Sequence, residues 1–303
     1  MTNVSEKPVI PGITAQPLPV LTIAGSDSGG AAGLAADWKT FAALGAYGLG
    51  AITVVTAQNS REVRQVQFVS PEMVVAQIEA VLEDYGAAAI KTGFIGNVDT
   101  IRAIAECLVR WQNIPLVVDP VLVNHKGQAM FAPEVAAAYQ QHLFPLATLI
   151  TPNRHEAALL TGLPVTNREE MVAAAQQLHI FGPQHILIKG LREGETMVDG
   201  WWDGAGARAR ARARARGEEG SSSSSSSSRF HWLEGGRVET ANTHGSGDTL
   251  SAAAAVFLAQ GLEMGVALWR AREFVRGAII AAAGWHLGAG HGPVNPFSLR
   301  FPA

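Results

Sequence analysis

The sequence is poor in cysteine, and this alone excludes several kinds of site. Cys107 is the one cysteine among 303 residues, so the chain has neither an internal disulfide nor a zinc site built from two or four cysteines. None of the nine histidines stands in an H-x-x-x-H or other metal-binding spacing. The stretch around Cys107, IRAIAECLVRW, has the pattern of a helix, and we therefore expect a thiol packed in the core.

The chain also lacks an excess of charge and any long apolar run. Its formal net charge of −3 gives no overall attraction to nucleic acid or to a membrane. It has no uncharged apolar span of the roughly 18 residues that a transmembrane helix needs. The first residues, MTNVSEKPVIPGITAQPLPV, lack the basic region, apolar run and cleavage site of a signal peptide. We expect a flexible proline-rich arm over 1–17 and a cytoplasmic protein without a nucleic-acid or membrane partner.

What the sequence does contain is a repeated alternation of short apolar runs and helical patterns. The predicted strands lie at 19–25, 50–58, 87–93, 115–121, 148–153 and 185–190, and the predicted helices at 31–45, 71–84, 98–111, 133–142, 153–161 and 168–180. Continuous apolar runs of this kind favour a parallel sheet that is covered on both faces. We predict an α/β fold with a central, mostly parallel, doubly wound sheet, in one domain over 18–303. Ligands of such sheets bind at the carboxyl ends of the strands.

One segment, 204–229, does not fit this pattern. Five arginines alternate with alanine from Arg208 to Arg216, and eight serines follow. The segment has no apolar face to bury, which predicts a solvated insertion. A basic arm for nucleic acid is the alternative, although no aromatic residues are interleaved with the arginines. The flanking residues Trp202 and Phe230 are predicted to belong to a β-hairpin that carries the insertion at its tip.

The stretch NTHGSGDTLSAA contains a Gly-Ser-Gly turn that opens a helix at about residue 248. The free N–H groups of a first helical turn bind anions, so Gly245, Ser246 and Gly247 suit a phosphoryl group. Asp248 lies beside the same spot, where a carboxylate could accept the proton of an attacking hydroxyl. The alternative is that Asp248 serves only as a helix cap.

A second glycine-rich stretch, AGSDSGGAAGLAADWKTF, follows the first predicted strand. It is not a dinucleotide fingerprint, because G-x-G-x-x-G is absent, and it is not a P-loop, because no Gly-Lys-Ser/Thr follows. The loop could let a flat ligand approach the backbone closely. Alternatively, it is a tight turn from strand to helix with Asp27 as a local cap.

Polar residues close several of the other predicted strands. Asn153 opens a helix that carries Glu156 three residues later, which is the spacing of a capping box. Alternatively, both residues hold a hydrated Mg²⁺, mostly through water. Lys189 ends the run HILIKG, where a lysine suits phosphate binding or extends to solvent at the rim of the sheet. Asp119 ends PLVVDPV in the same way, and Gln58 ends the second strand.

These stretches together resemble the hydroxymethylpyrimidine/phosphomethylpyrimidine kinases of thiamine biosynthesis. This family belongs to the ribokinase-like superfamily, which also contains the pyridoxal kinases. The matching stretches run in the family's order from about residue 18 to 297: AGSDSGGAAGLAADWKTFAALGAYG, ITVVTAQNS, IKTGFIG, VVDPV, LITPNRHEAALLTG, ILIKG, NTHGSGDTLSAA and GHGPVNPF. Each stretch alone is weak, but the set is specific.

The resemblance implies a single ribokinase-like αβα domain that uses ATP and Mg²⁺ to phosphorylate a hydroxymethyl aminopyrimidine and then its monophosphate. Gln58 would hydrogen-bond the aminopyrimidine, and Phe94 and the backbone near Val121 would line the ring pocket. The resemblance also implies that the hydroxymethyl side is surrounded by Gly25, Asp27 and Ala32. It implies that ATP is bound by Lys189, Asn153, Asp119 and Thr243, and the metal by Glu156 and Asp119. The anion hole and catalytic position would be formed by Gly245, Ser246, Gly247 and Asp248. We also expect a homodimer.

The chain departs from the family pattern at two positions in these motifs. Asp248 stands where the family usually has cysteine, whereas aspartate is usual in ribokinases and many pyridoxal kinases. Ala31 replaces the third glycine of the first loop. Pyridoxal or pyridoxine kinase therefore stays open as the alternative activity, since both substrates are flat rings with a CH₂OH group. A catalytically inactive vitamin-binding module is the alternative outside the enzymes.

Overall fold

A computed structural model describes residues 16–124, 126–204 and 230–298, and over this part strands and helices alternate along most of the chain. The strands are β1 (Pro19–Asp27), β2 (Tyr47–Gln58), β3 (Val63–Phe68), β4 (Ala89–Thr92), β5 (Leu116–Val118), β6 (Leu149–Ile150), β7 (His185–Glu193), β8 (Thr196–Asp203) and β9 (Phe230–Gly236). The helices are α1 (Gly33–Ala43), α2 (Pro71–Asp84), α3 (Val98–Leu108), α4 (Pro133–Ala138), α5 (Arg154–Thr161), α6 (Arg168–His179), α7 (Ser246–Ala259) and α8 (Met264–Ala282). Short 3₁₀ turns cover Val109–Trp111, Phe144–Leu146 and Pro296–Ser298, and a π turn at Tyr139–Leu143 continues α4.

All the described strands join one sheet, in the order β3-β2-β1-β4-β5-β6-β7-β8-β9. The six strands from β2 to β7 in that order pair in parallel. The outer strands β3, β8 and β9 pair antiparallel with their neighbours. The prediction of a mostly parallel central sheet is therefore confirmed, and the antiparallel strands close its two sides.

Both faces of the sheet are buried, because successive side chains of each inner strand enter different halves of the core. On β5, Val117 packs toward α1, α7 and α8, whereas Leu116 and Val118 pack toward α2 to α6. All three side chains are 4% exposed or less. Burial on both faces accounts for the continuous apolar runs in the sequence. Cys107 lies in the second half of the core, as expected, and burial raises the pKa of its thiol.

Two described elements have no counterpart among the predicted ones. All six residues of β3 are exposed and the strand pairs only with β2, so no buried face marks it in the sequence. Helix α8 carries charged residues among its apolar ones. One of them, Arg272, is itself buried, and its Nε donates to Asp199 Oδ2 at 3.0 Å. Because the ion-pair partner of Arg272 lies on β8, the local sequence shows only a charged residue and does not reveal that this face of the helix is buried.

The predicted hairpin is present. Strands β8 and β9 pair antiparallel up to Trp202 opposite Phe230. The predicted insertion lies almost entirely outside the described residues, as does most of the predicted N-terminal arm. Across the described ranges, no helix is both long enough and apolar enough to span a bilayer.

Because Trp202 and Phe230 already face each other, residues 206–228 can be deleted without separating the paired strands. We expect the deletion variant to unfold at the same temperature or slightly higher, because halving a loop lowers its closure cost by about 0.6 kcal/mol. Its catalytic efficiency should stay close to that of the full chain. Differential scanning calorimetry and steady-state kinetics check both.

The matched control is Phe230→Ala, which truncates a side chain that is 8% exposed in the last strand pair before the insertion. It should lower the free energy of unfolding by about 3 kcal/mol or more. A deletion variant as unstable as this control, or one with greatly reduced activity, would show that the insertion contributes to the fold or the site.

Candidate active site

The polar residues that the sequence places at strand ends do meet at one edge of the sheet. Because β1, β4, β5, β6 and β7 are parallel, their carboxyl ends share this edge, and the start of α7 faces it. Lys189 forms an isolated bridge with Asn153, and its ammonium donates to Asp119 at 2.9 Å. Residues that follow β5 and β6 are thereby brought into contact with Lys189, which lies within β7 because this strand continues beyond the predicted end at 190 to Glu193.

The Gly-Ser-Gly turn lies against the first glycine-rich loop. Gly245 has φ +79°, and a Cβ atom at this position would lie 1.8 Å from the carbonyl oxygen of Ala31. Only glycine combines this conformation with so close an approach. Helix α7 begins at Ser246, about two residues earlier than predicted, which places Asp248 in its first turn.

The amides of this turn are only partly available to a ligand. The Ser246 N–H donates to the Thr243 carbonyl at 3.1 Å, which differs from our expectation that it serves an anion. Within the described residues, the amides of Gly247 and Asp248 have no backbone acceptor. A Cβ at Gly247 would lie 3.3 Å from Lys189 Nζ, so the space beside this glycine faces an ammonium group as well as free amides. That combination suits an anionic group.

Asp248 is held on two sides. Its Oδ1 accepts a hydrogen bond from Lys91 Nζ at 3.1 Å, and the Gly33 amide also donates to the carboxylate. Burial alone would raise its pKa, but the charges of Lys91 and Lys189 outweigh burial and hold the pKa below the ordinary value. The carboxylate is therefore ionised at neutral pH. Among the groups that lower this pKa, Lys91 has the largest effect.

Lys91 and Asp37 are the residues that the sequence interpretation missed. Lys91 is fully buried in β4 and donates to Asp37 Oδ1 and Oδ2 at 2.9 and 2.8 Å. Asp37, in α1, also accepts from Thr22 Oγ1 at 2.5 Å. Burial raises the pKa of Asp37 to about 7 against the effect of Lys91, and the charge of Asp248 adds to the rise. The indication in the sequence was a lysine within a buried run, AAAIKTG, like the lysine of HILIKG.

The second ammonium group of the site is Lys189. Its side chain is 14% exposed and points toward Asp119 rather than to solvent at the rim of the sheet. Asp119 also accepts from Thr151 Oγ1 at 3.0 Å and from Ser251 Oγ at 3.2 Å. Burial would lower the pKa of Lys189, but Asp119 and Glu156 raise it, so the group stays charged.

The predicted capping box is present at the start of α5. Asn153 Oδ1 accepts from the Glu156 amide at 3.0 Å, and Glu156 Oε2 accepts from the Asn153 amide at 2.8 Å. Glu156 Oε1 also accepts from the Leu122 amide at 3.2 Å. Burial, and after it the charge of Asp119, raises the pKa of Glu156 to about 8. Capping therefore explains the geometry of Asn153 and Glu156. The negative charges of Glu156 and Asp119 are only partly balanced by Lys189.

The carboxylate of Asp27 is turned into its own loop. Oδ1 accepts from the Gly29 amide at 2.7 Å, and Oδ2 accepts from the amides of Ala31 and Ala32 at 2.9 and 3.0 Å. The interpretation as a local cap is confirmed, and the shape of the loop depends on it. Among the described residues only glycines have positive φ, so Ala31 replaces the family's glycine without strain.

Gln58 ends β2 directly before Asn59 and Ser60, which line a cavity together with Asp27, His244 and His291, among others. Its amide makes only long contacts: Oε1 lies 3.4 Å from Thr56 Oγ1, and Nε2 lies 3.5 Å from His244 Nε2. Such contacts leave both ends of the amide able to bind a ligand.

The two histidines beside Gln58 were not predicted. The rings of His244 and His291 stack with centroids 5.5 Å apart. Thr243, which the resemblance places at the ATP, has its Oγ1 2.8 Å from His291 Nε2. The His291 amide donates to the Ser60 carbonyl at 2.9 Å, which joins the C-terminal segment to the end of β2.

The predicted ring pocket lies at the ends of β1, β4 and β5. A Cβ at Gly25 would lie 2.6 Å from Val54 Cγ1 and 3.2 Å from the ring of Phe94, so glycine lets both side chains pack here. The Phe94 ring packs on Phe131 with centroids 5.4 Å apart. Val121 follows β5 and is half-buried.

The chain was compared with known proteins. A family model described as phosphomethylpyrimidine kinase matches residues 27–295. The hydroxymethylpyrimidine/phosphomethylpyrimidine kinase of Rhizobium meliloti (strain 1021) is 41% identical over 279 residues, which are 91% of this chain and 96% of that protein.

Solved structures give the same result. A pyridoxal kinase of Bacillus subtilis in complex with ADP has a TM-score of 0.78 at 34% identity and covers 92% of this chain and 97% of its own. A phosphomethylpyrimidine kinase from Clostridium difficile 630 has a TM-score of 0.71 at 33% identity and covers 86% and 99%. With this match over most of its length, the chain belongs to the phosphomethylpyrimidine kinase family and has its ribokinase-like fold.

Proposed function

We propose that this kinase transfers a phosphoryl group from ATP to the hydroxymethyl group of 4-amino-5-hydroxymethyl-2-methylpyrimidine, and then to the monophosphate so formed. The observation that carries the proposal is the position of Asp248. An ionised carboxylate lies in the first turn of α7, beside free amides and within reach of the charge of Lys189. This is the set of groups that a phosphoryl transfer to an alcohol requires.

Asp248 accepts the proton of the substrate hydroxyl as this oxygen attacks. The amides of Gly247 and Asp248 and the ammonium of Lys189 stabilise the negative charge on the transferred group. Gly247 allows the approach, because a side chain there would fill the space in front of Lys189. The backbone at Gly245 fixes the turn against the first loop, so the donors are in place before the substrate binds.

On the nucleotide side, Lys189, Asn153, Asp119 and Thr243 are proposed to bind ATP. Glu156 and Asp119 are proposed to hold Mg²⁺, and the raised pKa of Glu156 fits this role because a cation would balance the two buried carboxylates. Among the described residues, no group of three or more histidine, cysteine or acidic side chains forms a complete metal cage. The residues present therefore fit a hydrated Mg²⁺ that is shared with phosphate oxygens. Bound there, the ion would neutralise charge on the phosphates.

On the substrate side, Gln58 offers a donor and an acceptor to the amino group and ring nitrogen of an aminopyrimidine. Phe94 and Val121 are proposed to line the ring, and Gly25 and Ala32 to face its hydroxymethyl side. Asp27 contributes indirectly, since it holds the loop that contains Ala32.

Phosphorylation of pyridoxal is the second candidate, and two observations favour it. Asp248 is the residue usual in many pyridoxal kinases, and the Bacillus subtilis structure with a TM-score of 0.78 is a pyridoxal kinase. The intact arrangement around Asp248 and Lys189 disfavours a non-catalytic binding module.

We also propose a homodimer and a cytoplasmic location. The β2–β3 hairpin exposes the apolar side chains Val63, Val66 and Phe68, which a second copy of the chain could cover. Sedimentation velocity tests this directly. The single, buried cysteine suits a reducing compartment.

Substrate choice is tested with Gln58→Ala. We expect kcat/KM for the aminopyrimidine to fall by about 10- to 100-fold, the scale of one or two lost hydrogen bonds. Efficiency with pyridoxal should fall less. The matched control is Gln65→Ala on the exposed strand β3, which should leave both values unchanged. An unchanged value in Gln58→Ala, or pyridoxal as the far better substrate of the unmodified chain, would contradict the pyrimidine assignment.

The role of Asp248 is tested with Asp248→Asn, which keeps the shape of the side chain and removes the base. We expect kcat to fall by at least about 100-fold, with little change in KM or in the melting temperature. Asp248→Cys introduces the usual family residue and should keep part of the activity. A folded Asp248→Asn variant with a kcat close to that of the unmodified chain would show that Asp248 is only a helix cap.

A further inference from the structure

Lys91 is an unusual residue to find in the middle of the sheet. Its side chain is 0% exposed, although the desolvation of an ammonium group is costly. An ammonium has three N–H donors, and the structure uses all of them: two go to Asp37 and one goes to Asp248. Asp37 alone would balance the charge of Lys91. The third hydrogen bond therefore needs a separate explanation.

The third hydrogen bond is the one that reaches the site. The Asp37 side chain is 0% exposed, whereas that of Asp248 is 15% exposed. Lys91 Nζ contacts Oδ1 of Asp248, so this oxygen is held from the side of the core. The Gly33 amide also donates to the carboxylate, and the side chain keeps a partly exposed side toward the site.

We propose that Lys91 is a positioning residue for the phosphoryl transfer: it fixes the Asp248 carboxylate from within the sheet, and Asp37 holds Lys91 in place for this task. The inference rests on the proposed function, because it acts through Asp248 as the base. Lys91 itself does not touch the substrate.

The charges around Asp248 show what removal of Lys91 would do. Two ammonium groups interact with it, Lys91 on β4 and Lys189 at β7. The buried carboxylate of Asp37 on α1 opposes them, and Asp119 after β5 interacts with Lys91. Without Lys91, Asp248 keeps only the opposite charge of Lys189, which Asp119 already binds. Its pKa should then rise, because burial favours the neutral carboxyl group and one of the two opposite charges is gone.

The test is Lys91→Met, which keeps the length of the side chain and removes its charge. We expect kcat at pH 7 to fall by about 10-fold or more, with the KM values for ATP and the aminopyrimidine unchanged. A base acts only when it is deprotonated, so the higher pKa of Asp248 should move the acid limb of the kcat profile toward neutral pH. Raising the pH should then restore part of the lost rate.

Lys91→Met leaves Asp37 buried without its partner and could therefore unfold the chain. The second variant, Lys91→Met/Asp37→Leu, replaces the buried ion pair with apolar side chains, a change that proteins often tolerate. It should fold and show the same shift of the acid limb. The matched control on the same strand is Thr92→Val, since the Thr92 hydroxyl has no hydrogen-bond partner among the described residues. This control should leave kcat and its pH profile unchanged.

A double-mutant cycle between positions 91 and 248 separates the possible outcomes. In an Asp248→Cys background, Lys91→Met should cost much less activity than in the unmodified chain, because the carboxylate that it positions is already gone. A folded Lys91→Met/Asp37→Leu variant with unchanged kcat and pH profile would overturn the proposal and make Lys91 purely structural. If Asp248→Asn also retained full activity, the proposed function of Asp248 would fail as well. If Asp248→Asn were inactive, only the role of Lys91 would fail.

Discussion

The buried ammonium of Lys91 is the constraint on which the geometry of the site depends. It needs three acceptors, and it finds them on two helices, Asp37 on α1 and Asp248 on α7. Strand β4 and both helices are thereby joined at one point on one face of the sheet. The close approach that follows is possible only where the chain has glycine, and a Cβ at Gly33 would lie 2.2 Å from the Gly25 carbonyl oxygen. The glycines of the two loops are thus a consequence of this packing as well as a feature of ligand binding.

The same edge of the sheet carries more negative than positive charge. Asp37, Asp119, Glu156 and Asp248 face two ammonium groups. Burial, and to a smaller extent the charge of a neighbouring carboxylate, raises the pKa of Glu156 to about 8 and that of Asp37 to about 7. Asp37 and Asp248, the two carboxylates that Lys91 contacts, have different roles. Burial leaves Asp37 as a partner of Lys91, whereas Asp248, with two cations near it, stays ionised. The environment rather than the residue type therefore separates a supporting carboxylate from a reactive one.

The sequence predicts well those helices and strands whose burial is visible in their own residue pattern. The helix at 71–84 is marked by Ser70, whose side chain caps it, and by Pro71, and its bounds agree with the structure. The exposed strand β3 carries no such pattern. Several residues of the site could be predicted because they follow parallel strands, whose carboxyl ends lie together at one edge of the sheet. The contact of Lys91 with Asp37 spans 54 positions and its contact with Asp248 spans 157, and local patterns carry no information about such pairs.

The aspartate at position 248 is also easier to understand from this packing than from the motif around it. A thiol there would be a weak acceptor, so Lys91 would be paired mainly with Asp37 and the buried pair would be closed toward the site. A carboxylate accepts the third N–H fully, and the ion pair then extends from the core to the partly exposed side chain of Asp248. Since Lys91 and Asp37 need not move, the fold can accept either residue at the start of α7. The residue at position 248 therefore decides whether the buried ion pair reaches the site, whereas Gln58, the proposed contact of the ring, ends a different strand, β2.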